Sequence, residues 1–463
     1  MISIDRGTGL RRVPVQLALL LAASLTIPAL LFAHIRLEAS SPAGDEVLTS
    51  PPPQLRLLFS ERIEGRYTRV TLDAPDGAPV TLGPVVFVDG SDREITVRVP
   101  PLASTGTYTV RWRTAGADGH VLEGSFAFTL AADDTRVGPH GEGATGEPPI
   151  PHEQHAHEAP RSVQSTSGAI GRGIHFLALV MLLGAVTFRV LLLPRLHLAA
   201  GTRGQLELRA WRAVAAGAVL LAAAAVLRLW VQSIALHGAG RAWSAPLLSI
   251  MLSDTSWGRA WLLQALLFAV LGMAIAWARP GRDRRALFIA VPAAALLAAI
   301  PGLSGHAAGA SGLGRVAIVN DAIHVAAVGA WLGTLGVLIL VAVPLIRRLE
   351  PAAASTAADA VNTFSPMALL AAAVVAVTGV INAWMHMTAP VQLWSTPYGR
   401  TLLLKLALVG AVLAMGFINW RVVRPRLRDA PDLRRLRLTA GAELLLALLV
   451  LTVTAILTGL PRP

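Results

Sequence analysis

The sequence predicts two structural parts in series: an all-β sandwich of the immunoglobulin-like type, followed by an all-α membrane region of about eight transmembrane helices. Short segments with alternating apolar and polar residues fill positions 34–131. After position 165, apolar stretches recur at about the 20 residues that cross a bilayer. Hydrophobic residues make up 54% of the 463-residue chain and charged residues only 15%. This composition is typical of a polytopic membrane protein.

Residues 1–33 predict a signal peptide. Three arginines precede an apolar run, Val13 to Phe32, and the small residue Ala33 stands at the expected cleavage point. The run is also about long enough to anchor a protein in a membrane, and an uncleaved anchor would leave no free amine at His34. Cleavage after Ala33 is the favoured prediction.

Residues 34–131 predict the β-sandwich. Pro, Gly and Asp turns such as Asp76-Gly77 separate segments of alternating hydrophobicity, as in sandwiches built from short antiparallel strands. The expected strands include Gln54 to Ser60, Arg69 to Asp73, Glu94 to Val99 and Thr107 to Arg113.

Residues 132–165 predict a flexible linker, because the segment is rich in Gly, Pro, Glu and His and has almost no large apolar residue. A tract of this composition is usually only solvated, and metal capture by its histidines is the minority interpretation. These histidines are His140, His152, His155 and His157.

Residues 166–463 predict the membrane region. Its arginines gather in alternate loops, which is the bias of cytoplasmic loops. The formal net charge of +12 therefore reports topology and not a nucleic-acid partner, and both ends of the region are expected outside the cytoplasm. The expected helices are Ile174 to Leu193, Ala213 to Leu236, Ala260 to Ala278, Ala286 to Ile300, Val316 to Ile346, Pro366 to Trp384, Thr401 to Trp420 and Ala440 to Leu457.

Two classes of chemistry are excluded by residues that the sequence lacks. The chain has no cysteine, so it has neither disulfides nor thiolate metal sites. It also has no phosphate loop of the kind that ATPases carry.

His34, Asp118 and His120 predict a Cu²⁺ site in the β domain. After cleavage, the amine and the imidazole of His34 can chelate one ion, and Asp118 and His120 can supply further ligands. Nitrogen-rich tetragonal sets favour Cu²⁺.

The membrane region carries a second set of candidate copper ligands near its expected outer side. His324 is the best case, because an ionisable group at membrane depth usually faces a cavity, a partner or a pathway, and Asp321 lies one helical turn away. Gly329 and Gly333 predict a close helix contact on the same helix. A lone membrane histidine is more often a packing residue, and the methionines beside His386 are about as well explained as apolar filler. The candidates are His175, His306, Asp321, His324, Met385, His386 and Met387. The thioethers of the two methionines would suit Cu⁺.

Lys405 and Glu443 are the other ionisable residues of interest in the helices. Opposite helix directions place Lys405 near the outer face and Glu443 near the inner one, so separate partners are expected. Arg189 is the predicted partner of Glu443.

These residues resemble a known pair of families. His34, Ser40-Ser41-Pro42-Ala43, Phe59-Ser60-Glu61, Ala117-Asp118-Gly119-His120 and Phe126-Ala127-Phe128 resemble the periplasmic copper-binding protein CopC. The segments beginning at His324, Tyr398, Asn419 and Glu443 resemble its membrane partner CopD. The chain as a whole resembles a fusion of the two.

The resemblance implies Cu²⁺ capture outside the cytoplasm and copper import through the membrane region, with Glu61 close to the metal. It implies no Cu⁺ site in the β domain, because no methionine lies between His34 and Val180. It favours a non-enzymatic protein of the bacterial inner membrane with copper ion, the lipid bilayer and a periplasmic copper chaperone as candidate partners, and it leaves the oligomeric state open. Three alternatives remain: a haem cytochrome, a copper monooxygenase, and copper sequestration or sensing without transport.

Overall fold

The computed structural model describes residues 37–60, 62–116, 121–131, 161–162, 166–278, 284–305, 314–350, 353–387, 389–423 and 433–460. Contacts divide the chain into two compact units, one within residues 33–163 and one that includes residues 164–463. The predicted signal peptide and most of the predicted linker lie outside the described residues.

The first unit is a β-sandwich, as predicted. One sheet has the strand order β1-β3-β7-β6 and the other has the order β10-β9-β8-β4-β5, with β2 pairing with β9. The strands are β1 (Leu37–Ser41), β2 (Val47–Leu48), β3 (Gln54–Phe59), β4 (Arg69–Asp73), β5 (Pro79–Val80), β6 (Val85–Phe87), β7 (Glu94–Arg98), β8 (Gly106–Ala115), β9 (Val121–Leu130) and β10 (Arg161–Ser162).

Alternation in the sequence becomes the two faces of each sheet. In β3, Leu55, Leu57 and Phe59 are completely buried and the residues between them are more exposed, because successive side chains of a strand point to opposite faces. Phe59 meets Trp112 edge to face, with ring centroids 5.3 Å apart, which is a favoured aromatic geometry. The predicted turn at Asp76-Gly77 joins β4 to β5, with Gly77 at a φ of 82°.

The second unit is helical. Its described helices are α1 (Thr166–Thr187), α2 (Ala200–His237), α3 (Ala245–Asp254), α4 (Ser256–Trp277), α5 (Arg284–Leu297), α6 (Ile300–Leu303), α7 (Gly314–Val328), α8 (Thr334–Val337), α9 (Val343–Leu349), α10 (Ala353–His386), α11 (Gln392–Ser395), α12 (Pro397–Ile418) and α13 (Leu433–Leu457). A π-helical turn, Gly329–Gly333, joins α7 to α8, and a second one, Leu338–Ala342, joins α8 to α9.

Within the described residues, seven helical segments are long and apolar enough to cross a membrane by themselves. The predicted helix Ala286 to Ile300 instead forms two shorter helices, α5 and α6. Pro301 near the start of α6 has no amide hydrogen and cannot continue the hydrogen bonding of α5. A helix of the 14 residues in α5 is about 21 Å long, less than the roughly 30 Å hydrocarbon core, so the eighth expected crossing needs both α5 and α6.

The predicted glycine contact is present, and its partner is α1. A Cβ atom added to Gly333 would lie 2.1 Å from the carbonyl oxygen of Val180, and one added to Gly329 would lie 2.4 Å from Cβ of Leu183. Only glycine allows the two backbones to approach this closely. The segment that carries His324 is therefore packed directly against α1.

Candidate functional site

The three predicted copper ligands of the β domain, His34, Asp118 and His120, and the neighbouring acidic residue Glu61 all lie outside the described residues. Four of the described residues that flank Glu61 and Asp118 are nevertheless paired across the two chain segments. Ile63 forms an isolated β-bridge with Gly116, and the amide of Glu64 donates to the carbonyl of Ala115 over 2.8 Å. The chain next to Glu61 and the chain next to Asp118 therefore meet at one end of the sandwich.

The start of β1 reaches the same region. Leu37 pairs with Phe59, which stands two positions before Glu61. At the other side of the predicted Asp118-His120 segment, Val121 pairs with Ala115 as β9 turns back along β8. Register thus brings together the flanks of all the predicted ligands.

In the membrane unit, α7 and α10 share a group of hydrogen-bonded polar residues, here called the α7–α10 cluster: Asn320, Asp321, His324, Thr378, Asn382 and His386. Asn320 donates to the side-chain oxygen of Asn382 over 2.6 Å, and Asn382 donates to Asp321 over 2.7 Å. Asn320 also donates to the carbonyl of Thr378 over 3.0 Å. Each amide therefore links the two helices, and the predicted residues Asp321, His324 and His386 lie in one network.

The hydrogen bonds of Thr378 assign the tautomer of His324. The Thr378 hydroxyl donates to the carbonyl of Val374 over 2.6 Å, so its single hydrogen is used there. The hydroxyl must then accept the 2.8 Å hydrogen bond from Nδ1 of His324. A neutral imidazole that donates from Nδ1 carries its lone pair on Nε2, which is the form that ligates metals. Thr378, and not Asp321, orients this ring.

A single hydrogen bond assigns the same tautomer to His386. Its Nδ1 is hydrogen-bonded to the backbone carbonyl of Asn382, and a carbonyl can only accept. The ring stacks on Tyr398 with centroids 6.4 Å apart. Of the flanking thioethers, Met385 is buried, and Met387 packs in an apolar group with Tyr398 and Leu402.

Lys405 on α12 completes this part of the site. Its ammonium interacts electrostatically with Asp321 and with His324. The prediction that Lys405 and Glu443 have separate partners is therefore confirmed. A cation beside Asp321 reduces the cost of holding a carboxylate within the membrane.

His175 on α1 lies in a different environment. Arg228 on α2 donates to Nδ1 of His175 over 3.5 Å and to the hydroxyl of Ser304 over 3.4 Å. Arg228 also lies over the Trp257 ring, 5.8 Å from its centroid. The structure does not place His175 in the α7–α10 cluster, and His306 lies outside the described residues.

The predicted pairing of Glu443 with Arg189 is wrong. Arg189 instead forms an ion pair with Glu207 over 3.6 Å, and Glu443 accepts hydrogen bonds from Asn419 over 3.0 Å and from Trp331. Glu443 lines a cavity of about 700 Å³ whose other walls are mainly apolar. Neutral donors on the adjacent helices satisfy this carboxylate, so it needs no arginine.

Among the described residues, no group of three or more His, Cys, Asp or Glu side chains is arranged to hold a metal ion. Any metal in the α7–α10 cluster must therefore use other ligands as well, such as amide oxygens or thioethers. Sequence reasoning missed Asn320, Thr378 and Asn382. The available signal was the spacing of Thr378, Asn382 and His386, which puts three polar residues on one face of an apolar helix.

Three family models match successive parts of the chain. The model described as CopC domain matches residues 37–131, the one described as Copper resistance protein D-like, N-terminal domain, matches residues 165–316, and the one described as Copper resistance protein D matches residues 358–457.

Individual proteins also match. Copper transport protein CutJ of Bacillus subtilis (strain 168) is 25% identical over 442 residues, which are 94% of this chain and 76% of the relative. Copper resistance protein C of Pseudomonas syringae pv. tomato is 30% identical over 117 residues, which are 24% of this chain and 91% of the relative. The crystal structure of CopC from Methylosinus trichosporium OB3b has 27% sequence identity and a TM-score of 0.21, and the match covers 22% of this chain and 99% of that one.

Proposed function

Because the chain belongs to the copper resistance family and joins a CopC domain to a CopD membrane region, we propose that it captures copper outside the cytoplasm and imports it across the inner membrane. The chain is a multi-pass membrane protein. Copper is its cargo in this proposal, and no catalytic step is required.

The transport proposal rests mainly on the tautomer of His324, that is, on which of its ring nitrogens carries the hydrogen. Its Nδ1 donates to Thr378, so Nε2 keeps a lone pair, and Asp321 lies in the same network. A lone-pair nitrogen near a carboxylate inside an apolar helix bundle is costly unless it serves a polar cargo. His386 presents its lone pair in the same way, and its neighbours Met385 and Met387 would supply thioethers suited to Cu⁺.

Capture is assigned to the β domain. The proposed ligands are the amine and the ring of a processed His34, together with Asp118 and His120, and Glu61 lies close to the metal. The pairing of the flanking residues supports this set, because it brings the neighbouring chain segments to one end of the sandwich. A site with two imidazoles and an amine suits Cu²⁺.

Covalent connection makes the transfer efficient. A capture domain joined to its membrane region is present at high effective concentration, so the second binding step does not depend on diffusion from bulk solution. We place the residues preceding α1 and following α13 outside the cytoplasm, as the arginine-rich loops indicate. In this orientation His306, His386 and His324 would receive the copper, and a periplasmic chaperone could deliver it.

The test is copper accumulation in proteoliposomes that contain the full chain. We expect uptake that falls strongly with His324→Ala and is unchanged with His197→Ala, because His197 is an exposed histidine of an interhelical loop. Uptake equal in all three proteins would refute a path through His324. Copper retained by the protein without accumulation in the vesicle lumen would instead indicate sequestration or sensing.

A further inference from the structure

The two halves of the membrane unit repeat one sequence pattern. Ile174-His175 is followed by Leu183-Gly184, and Ile323-His324 is followed by Leu332-Gly333 at the same spacing. The two glycines are in contact, since a Cβ atom added to Gly184 would lie 2.0 Å from the backbone carbon of Gly333. The first helix of each half therefore crosses the other at equivalent positions.

The third helix of each half supports the same alignment. Thr255 caps α4 by accepting from the amide of Gly258 over 2.9 Å, and Thr396 caps α12 by accepting from the amide of Gly399 over 3.0 Å. In both halves the glycine packs on the short helix before it and an arginine follows the glycine. Gln264 stands as far after Thr255 as Lys405 stands after Thr396.

This alignment reverses the charge of the two equivalent sites. Arg172 takes the position of Asp321, three residues before the histidine. The segment Val226 to Trp230 aligns with Val380 to Trp384, so Arg228 takes the position of Asn382. Contacts agree with this assignment, because Asn382 donates to Asp321 while Arg228 interacts electrostatically with Arg172.

The histidine tautomer is reversed as well. Arginine has no acceptor, so Arg228 must donate to Nδ1 of His175. A neutral His175 then carries its hydrogen on Nε2, whereas His324 carries its lone pair there. His175 is only 2% exposed, and its Nε2 has no hydrogen-bond partner among the described residues. A buried N–H donor without a partner is destabilising, because its lost hydrogen bond to water is not replaced.

Nearby carboxylates do not neutralise Arg228. Residues 166–316 contain only three acidic side chains, Glu207, Asp254 and Asp283. Glu207 pairs with Arg189, Asp254 accepts from the hydroxyl of Ser253, and Asp283 lies outside the described residues. The adjoining segment 306–313 has no acidic residue at all.

We propose that the first half of the membrane unit binds a small inorganic anion of the halide class, held by Nε2–H of His175, while the guanidinium of Arg228 on the Nδ1 side of the ring fixes the tautomer and supplies the positive charge. An anion there satisfies the orphaned donor and offsets the charge of Arg228, which would be costly in a bilayer. Gln264 is 1% exposed, and both of its side-chain polar atoms lack a partner among the described residues. In the alignment of the two halves, Gln264 takes the position of Lys405. This proposal removes His175 from the copper path and does not depend on copper transport.

The test titrates full-length protein in nanodiscs of zwitterionic lipid with chloride against gluconate at constant ionic strength. Wild-type protein should show saturable broadening of the chloride NMR signal and a thermal unfolding midpoint that rises with chloride. Arg228→Asn, which copies the second half, should lose both effects. Arg241→Asn should keep both, because it removes an exposed arginine of the same half.

Absence of saturable broadening with folded wild-type protein would overturn the proposal, and so would equal chloride binding by Arg228→Asn. The proposal would also be overturned if a phospholipid co-purified with wild-type protein but not with Arg228→Asn, and if chloride did not displace it. The anion would then be a lipid phosphate. If Arg228→Asn does not fold, bromide anomalous scattering from wild-type crystals decides: a peak within hydrogen-bond distance of Nε2 of His175 supports the site, and no peak there refutes it.

Discussion

Replacing Thr378 by valine tests the proposed copper path without removing any metal ligand. Valine keeps the shape of threonine but lacks the hydroxyl that accepts from Nδ1 of His324 over 2.8 Å. The backbone carbonyl of position 378, which accepts from Asn320, is retained. The expected change is therefore confined to the orientation and tautomer of one imidazole.

The magnitude follows from the role of such an orienting hydrogen bond. Loss of the partner that orients a metal-binding histidine typically costs about 10- to 100-fold in metal affinity or activity. This factor corresponds to about 1.4 to 2.7 kcal/mol, which agrees with the roughly 1–3 kcal/mol cost of a buried polar group left without its partner. Thr378 is 5% exposed, so water cannot readily replace the hydroxyl.

The assay is initial copper uptake by proteoliposomes over a range of copper concentrations. Thr378→Val should reduce kcat/KM by about 10- to 100-fold, and Thr378→Ser, which retains the hydroxyl, should stay close to wild type. Both variants should keep the wild-type unfolding midpoint within a few degrees. Wild-type uptake by Thr378→Val would refute the assignment of His324 as a ligand oriented by this residue.

Three further outcomes are expected. The Cu²⁺ affinity of the full chain, measured with a competing chelator, should fall by at least about tenfold from pH 7 to pH 5, because protons compete for the amine and imidazole ligands. His120→Ala should weaken binding at both pH values. An affinity that does not depend on pH would contradict the ligand set. Gly333→Ala should lower the free energy of unfolding by about 1–3 kcal/mol or more, because the new Cβ would lie 2.1 Å from the carbonyl oxygen of Val180. Gly336→Ala should be tolerated, because its new Cβ would lie 3.9 Å from the nearest atom, in the side chain of Leu444. Purified protein should show no haem absorption band, and a stoichiometric band would favour the cytochrome alternative.

Much of the fold was predictable from local patterns. Alternation located β3, β4, β7 and β8 to within a few residues, because the period of a strand is written directly in its side chains. Long apolar stretches located seven spanning helices. The strands β2, β5 and β6 have only two or three residues each, which is too short for a detectable period, and the break between α5 and α6 was missed at Pro301.

The candidate site was predictable only in part. Asp321 and His324 stand one turn apart on one helix, so their proximity followed from spacing alone. Their partners Thr378 and Asn382 belong to α10, and nothing in the local sequence of α7 names them. Glu443 illustrates the same limit, since charge complementarity pointed to Arg189 while the packing of α12 against α13 supplied Asn419.

Composition, periodicity and arginine distribution determined the class of the protein, its two parts and the residue types available for copper. These properties depend on neighbours along the chain, which the sequence states explicitly. Tertiary structure alone decided which nitrogen of His175 and of His324 keeps a lone pair, because that choice depends on hydrogen-bond partners from other helices. The contact between Gly184 and Gly333 sets which helix faces meet, and through it the two halves place opposite charges around equivalent histidines.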